Sequence, residues 1–130
     1  MKKNRILITG GTGFIGYHLA KKCLKLNWSV TSISNNPPKK IRRLKRVKYL
    51  IIDVSNQKNV NKRLSKNYDY VVNLAGYVDH SHKTKTMKSH FNGCKNLANF
   101  FLNTKIKKFL QIGSSIEYGK INSPQKENNL

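Results

Sequence analysis

The stretch "ILITGGTGFIG", residues 6–16, sets four glycines behind a run of apolar residues and carries no charge. Residues 5–9, "RILIT", are apolar and β-branched without polar alternation, which is how a strand buried on both faces of a parallel sheet reads. After the glycines, Phe14, Ile15, Leu19, Ala20, Cys23 and Leu24 recur at helical steps and predict an amphipathic helix. Gly10, Gly13 and Gly16 therefore leave a strand and open a helix. In that setting the first glycine permits a tight turn, the next lets the backbone approach a pyrophosphate, and the last lets helix and strand pack closely. The helix N-terminus offers N–H groups with no intrahelical acceptor and a partial positive charge, so it can hold phosphate without a lysine. A flexible turn with no ligand is the plainer alternative, and the agreement of strand, spacing and helix argues against it.

The pattern repeats along the chain. "WSVTSIS" (28–34), "VKYLIID" (47–53), "YDYVVNLAG" (68–76) and "KKFLQIGSS" (107–115) read as four further strands. Between the third and fourth, Val60 and Leu64 follow a candidate cap at Ser55, predicting a short polar helix. Met87, Phe91, Cys94, Leu97, Ala98, Phe101 and Leu102 form a helical stripe over 86–104. Strand and helix alternate, which argues for an open α/β parallel sheet covered by helices, one domain over 1–130. Ligands of such sheets bind at the strands' carboxyl ends. Asp53 ends the third strand, where its carboxylate could accept a hydrogen bond from an adenine amino group or simply cap a turn. Leu74, Ala75 and Gly76 end the fourth, and their small size leaves room for a cofactor.

Charge pulls toward another reading. Against 26 Lys and Arg stand five acidic residues, a formal charge of +21, which in general suits a polyanion partner. The cations, however, run from Lys2 to Lys126, with one dense cluster, "PPKKIRRLKRVK", at 37–48. Spread among apolar positions, they read as solvated faces, and the chain is also rich in Asn and Ile, which A- and T-rich codons encode. Nucleic acid is accordingly not the expected partner. Cys23 and Cys94 lack metal or redox spacing and suit buried thiols of a cytoplasmic protein. The N-terminal apolar run is too short for a signal peptide, and no stretch approaches the roughly 18 apolar residues of a membrane span.

"TGGTGFIG", "IIDVS", "VVNLAG", "HFNGCKNLANFF" and "FLQIGSSIEYG" occur in order, and with them the chain resembles the extended short-chain dehydrogenase/reductases, the NAD-dependent epimerase/dehydratases, which act mainly on nucleotide sugars. The resemblance implies a Rossmann-type doubly wound sheet of strand order 3-2-1-4-5. It implies that Gly10, Gly13, Phe14, Ile15 and Gly16 line the pyrophosphate, Asp53 and Val54 the adenine, and Leu74, Ala75 and Gly76 the ribose and nicotinamide side. Asn92 would brace the sheet from the long helix, and Ser114, four residues before Tyr118, matches the catalytic Ser or Thr that hydrogen-bonds the substrate hydroxyl. The choice between NAD and NADP falls on Ser34, which stands where NAD-preferring members place a carboxylate for the ribose 2′-OH. Asn35 and Asn36 follow it, then Lys39, Lys40, Arg42 and Arg43, so a 2′-phosphate meets attraction and no repulsion. This favours NADP, unless the basic loop is only solvated.

The family's proton transfer runs on a Tyr with a Lys four residues on, which lowers the Tyr pKa. That pair lies beyond the Ser motif in the family, and this sequence stops at Leu130 without one. Tyr17 and Lys21 have the spacing, but they sit on the first helix, where they cannot also meet Ser114. Tyr118 has Asn122 at the Lys position. The expectation is thus the N-terminal NAD(P)-binding part of a nucleotide-sugar epimerase, dehydratase or reductase, truncated after the fifth strand and without the substrate-binding region. It would bind a dinucleotide without turnover alone, self-associate through an exposed fifth strand or need a complementing C-terminal chain. A non-catalytic, redox-sensing dinucleotide binder is the alternative. "DHSHK" (79–83) offers no third ligand at zinc spacing, so no metal is expected; His18 and His90 are expected on helix surfaces.

Overall fold

Successive side chains of a strand point to opposite faces, so an unbroken apolar run is stable only with cover on both. β1 (Arg5–Thr9) shows this directly: Ile6 and Ile8 join one apolar cluster and Leu7 the other. The computed structural model describes residues 3–76, 81–114, 124 and 126. Around β1 lie β2 (Ser29–Ser34), β3 (Val47–Ile51), β4 (Tyr70–Asn73) and β5 (Lys108–Gln111), all parallel, in the order β3-β2-β1-β4-β5. This is the doubly wound Rossmann-type order 3-2-1-4-5 expected from the sequence.

α1 (Phe14–Lys25) covers one face, burying Ala20 and Cys23 against Ile6, Ile8, Val30 and Val47. Burial pushes the Cys23 thiol above its ordinary pKa, which leaves it an inert apolar filler. The other face is covered by α2 (Gln57–Arg63) and by a helical run made of α3 (Lys83–Thr86), a π segment (Met87–Asn92) and α4 (Gly93–Phe101). Here Leu7, Ile33 and Val71 of the sheet meet Val60, Leu97, Phe100 and Phe101. The Phe101 ring stands edge-on to Phe100 and Tyr68, with centroids 5.0 and 6.2 Å away. No helix among the described residues is long and apolar enough to cross a membrane.

Several local expectations are corrected. The strands stop short of their apolar runs because Ile52–Ser55 and Leu74–Gly76 leave the ladder as turns above the sheet. A 3₁₀ turn, Lys40–Arg42, interrupts the basic loop. The cap of α2 is Asn56, whose side chain accepts the Asn59 N–H at 3.1 Å, and not Ser55. In the long helix, Met87, Phe91, Ala98 and Leu102 are exposed, while Gly93 and Asn96 face inward with Leu97, Phe100 and Phe101. The π segment shifts the helical phase by its wider turn, and a side chain at Gly93 would press to 2.9 Å of Val54. The brace to the sheet is therefore Asn96, donating to the carbonyls of Val54 and Ser55 at 2.9 Å each, whereas Asn92 lies a turn earlier and is half-buried.

At the amino ends of the strands, Asp69 accepts the Arg5 backbone N–H at 2.8 Å and its Nε–H at 3.1 Å. The Arg5 side-chain and backbone hydrogen bonds hold the Asp69 carboxyl below the usual carboxylate range. A depressed folded-state pKa stabilises above the unfolded value and is lost as pH falls through the folded one. The melting temperature should hold from neutrality to about pH 4 and fall below it, and Asp69→Asn should flatten that acid limb. An unchanged acid limb in thermal melts of Asp69→Asn would count against the pair.

Candidate functional site

Every βα turn emerges at the carboxyl edge of a parallel sheet, so the turns after β1, β2, β3 and β4 converge there. They enclose a cavity of about 720 Å³, a size that suits a bound organic ligand.

Gly10 takes a left-handed backbone with φ of 69°, donates its N–H to the Ile33 carbonyl at 2.8 Å, and runs so close to β4 that a Cβ would lie 2.9 Å from the Leu74 oxygen. Only glycine combines that φ with that approach. At Gly16 a Cβ would lie 2.5 Å from both the Gly10 oxygen and the Gly11 Cα, so the missing side chain is what seats α1 against the turn. The first intrahelical bond runs from the Tyr17 N–H to the Gly13 carbonyl at 3.0 Å. The N–H groups of Phe14, Ile15 and Gly16 precede it, and these three residues line the cavity.

Gly10, Gly13, Phe14, Ile15 and Gly16 after β1, Ser34 after β2, Asp53 and Val54 after β3, and Leu74, Ala75 and Gly76 after β4 thus come together around this one space. Ser34 accepts the Thr12 hydroxyl at 3.0 Å, which ties the glycine turn to β2. Asp53 is exposed at the cavity, and its Oδ1 accepts both the N–H and the hydroxyl of Ser55 at 2.9 and 2.7 Å, so this carboxylate shapes a turn as well as lining the space. Beside Ser34 lie Asn35 and Asn36, and the basic loop folds back so that the Arg42 guanidinium sits 5.9 Å from the centre of the Phe14 ring.

Asn73, buried at the end of β4, accepts from the Thr9 hydroxyl and, at 3.2 Å, from the Ala75 N–H, and donates to Gln111 at 2.6 Å. These bonds fix the path of Leu74–Gly76 across the cavity. Gly76 is itself covered by the His90 ring, which a Cβ there would meet at 2.6 Å; His90 is exposed, as is His18 on α1.

Ser114 is exposed just past β5 and does not line the cavity, although Ile112 does. Tyr17 and Lys21 are also absent from its walls. Tyr118, Asn122, Asp79 and His80 lie outside the described residues, among which no cluster of three metal-ligating side chains occurs. Lys85, Lys88 and Ser89, which also line the cavity, were not among the expected residues. They belong to a segment whose only sequence signal was the apolar stripe, and that stripe pointed to the opposite side of the helix.

Comparison with known proteins gives the same picture. UDP-N-acetyl-alpha-D-glucosaminuronate decarboxylase of Bacillus cytotoxicus is 34% identical over 134 residues, an alignment covering 96% of this chain and 41% of that protein. The chain spans less than half the length of the curated relatives it matches. The UDP-Glc/GlcNAc 4-epimerase of Campylobacter jejuni superposes with a TM-score of 0.85 at 23% identity, over 98% of this chain and 42% of that one. The Bordetella bronchiseptica enzyme WbmH, solved in complex with NAD+, gives a TM-score of 0.86 at 20% identity, over 99% of this chain and 46% of that one. With residues 6–130 matching its sequence pattern, this chain belongs to the NAD dependent epimerase/dehydratase family.

Proposed function

We propose that the cavity binds a nicotinamide dinucleotide and that the chain is the cofactor-binding portion of an enzyme acting on nucleotide sugars. The observation that carries this is the glycine turn: Gly10 and Gly16 let the turn pack against β4 and α1 where a Cβ would strike backbone, and the first residues of α1, whose N–H groups have no intrahelical acceptor, line the cavity. When bound, such a cofactor supplies the capacity to accept and return a hydride. The chain's own part is to hold it. The N–H groups of Phe14, Ile15 and Gly16 would take the diphosphate, Asp53 and Val54 the adenine, and Leu74, Ala75 and Gly76 the nicotinamide side. Ser114 would donate to the substrate hydroxyl. The curated relative's name, a decarboxylase of a UDP-sugar acid, supports a nucleotide-sugar substrate. Cys23 and Cys94, both free thiols, suit a reducing cytoplasm.

NADP is the favoured cofactor. Ser34, Asn35 and Asn36 put no carboxylate at the ribose, and Arg42 beside Phe14 supplies a cation. The 130 residues alone bind without turnover, because their one Tyr-Lys pair of the right spacing, Tyr17 and Lys21, does not border the cavity. The outer side of β5, where Leu110 is exposed, would serve self-association or a complementing chain.

Calorimetric titration of the purified chain with NAD+ and NADP+ tests the reading. NADP+ should bind about tenfold more tightly, the worth of one charge-assisted contact, and Arg42→Gln should erase that margin. Binding of neither dinucleotide would overturn the assignment, and equal affinities would overturn the NADP preference alone.

A further inference from the structure

The first 52 residues contain 13 Lys and Arg and no Asp or Glu, and the fold gathers most of those cations along one helix. The loop between β2 and β3 lies against α1 and is held at both ends of it. At the first residue of the helix, the Arg42 guanidinium sits 5.9 Å from the centre of the Phe14 ring. In its last turn, the Leu24 carbonyl accepts from Arg46 at 3.3 Å. Lys22 and Lys25 on α1 and Lys39, Lys40, Arg43 and Lys45 on the loop are all exposed.

Among the described residues no carboxylate answers them: Asp53 stands at the cavity, and Asp69 is paired with Arg5 at the amino ends of the strands. Lys22 and Lys25 suit the negative end of the α1 dipole, but a helix end does not account for the four on the loop. Aliphatic side chains are set among these cations. Ile41, between Lys40 and Arg42 in the 3₁₀ turn, is 84% exposed, and Leu26, next to Lys25, is 56% exposed. Such a mixture fits the surface of a bilayer, where the aliphatic groups enter the acyl boundary and the cations meet phosphates. A nucleic acid would instead ask for open aromatic faces on which bases stack, and the Phe14 ring is already faced by Arg42.

We propose that α1 and the basic loop form a surface that docks the chain onto an anionic lipid bilayer, with the cations against the phosphate headgroups and Ile41 in the acyl boundary. The docking is peripheral and reversible. Each cation near an anionic leaflet is worth about fivefold in affinity, and the exposed aliphatic side chains bury only a few methylene groups each.

The test is co-sedimentation of the full 130-residue chain with vesicles of phosphatidylcholine alone, and of phosphatidylcholine and phosphatidylglycerol in equal parts. The chain should pellet with the anionic vesicles, stay in solution with the neutral ones, and leave the anionic ones as salt rises. Lys22→Gln/Lys25→Gln/Lys45→Gln should weaken that binding about a hundredfold, and Ile41→Ser about fivefold. All four positions are exposed and lie outside the cavity lining, so both variants should melt like the wild type. The control, Lys58→Gln/Lys62→Gln/Lys105→Gln, removes three exposed charges that belong neither to α1 nor to the loop, and should cost only a few-fold. A control that weakens binding as much as the first variant would make the attraction one of net charge, and would overturn the surface. Ile41→Ser binding like the wild type, or no wild-type binding to anionic vesicles, overturns the proposal too. A chain that ignores the vesicles but binds a single-stranded oligoribonucleotide, with Lys22→Gln/Lys25→Gln/Lys45→Gln losing it, would give the face to nucleic acid instead. Neither probe is a dinucleotide, so the inference stands or falls apart from the reading of the cavity.

Discussion

Gly16→Val is expected to remove measurable binding of NAD+ and NADP+ and to lower the stability of the chain by about 3 kcal/mol, the upper end for forcing extra carbons into a packed site. The cause is local and steric. A Cβ at this position would stand 2.5 Å from the Gly10 oxygen and 2.5 Å from the Gly11 Cα, and both are backbone atoms that cannot swing aside like the tip of a flexible side chain. To admit the valine, α1 must retreat from the turn, and its first N–H groups retreat with it. For a chain of this size the loss should appear as a fall in melting temperature of about 10 °C. Gly13→Ala is the control, because its Cβ would lie 3.2 Å from the Gly10 oxygen, close enough to need a shift of only a few tenths of an ångström. It should fold with a melting temperature near that of the wild type, which isolates the steric cost at Gly16. Gly16→Val binding either dinucleotide with wild-type affinity would disconnect the turn from the cavity's function.

What the sequence disclosed, it disclosed through local rules. The run "RILIT" has to be covered on both faces, and Ile6 and Ile8 do pack on α1 while Leu7 packs on the other side. Alternating strands and helices with right-handed crossovers leave few topologies, of which the observed order is one. The glycine turn, Ser34, Asp53, Val54 and the residues from Leu74 to Gly76 were legible as lining because each follows a strand or opens the helix after it, and the carboxyl ends of parallel strands meet by construction.

The long helix was misread in part: Leu97 and Phe101 of its apolar stripe do pack inward, but a close approach at Gly93 and a buried amide at Asn96 complete the face. Gly93 contributes nothing to a hydrophobic pattern, yet its missing side chain lets the helix reach Val54. Asn96 looks like a surface residue and is buried because two carbonyls of the turn after β3 need a donor. Lys85 and Lys88 escaped notice for the complementary reason. In a chain with 26 cations no single lysine stands out, and only the fold shows which ones face a cavity.

Asn73→Ala is the second large effect expected, a loss of about 3 to 4 kcal/mol reached by summing orphaned polar groups. Asn73 and Thr9 are both fully buried. The Thr9 hydroxyl would lose its acceptor inside the sheet, and the partly buried Ala75 N–H would lose its own. Gln111 is exposed and can turn to water, so its lost bond at 2.6 Å adds little. The cost is asymmetric, because a buried donor without a partner is worse than no donor at all. The double variant Thr9→Val/Asn73→Ala should therefore be more stable than the sum of the two single losses implies, with a coupling of about 1 to 2 kcal/mol in a thermal or urea melt. Dinucleotide affinity should fall in Asn73→Ala and stay low in the double variant, because removing the Thr9 hydroxyl relieves the sheet but leaves the Ala75 N–H without the oxygen that holds Leu74–Gly76 at the cavity wall. Stability and binding would then separate, the first answering to the Thr9–Asn73 pair and the second to the Asn73–Ala75 bond. Strict additivity of the two substitutions would mean that the Thr9 hydroxyl and the Asn73 side chain are not coupled.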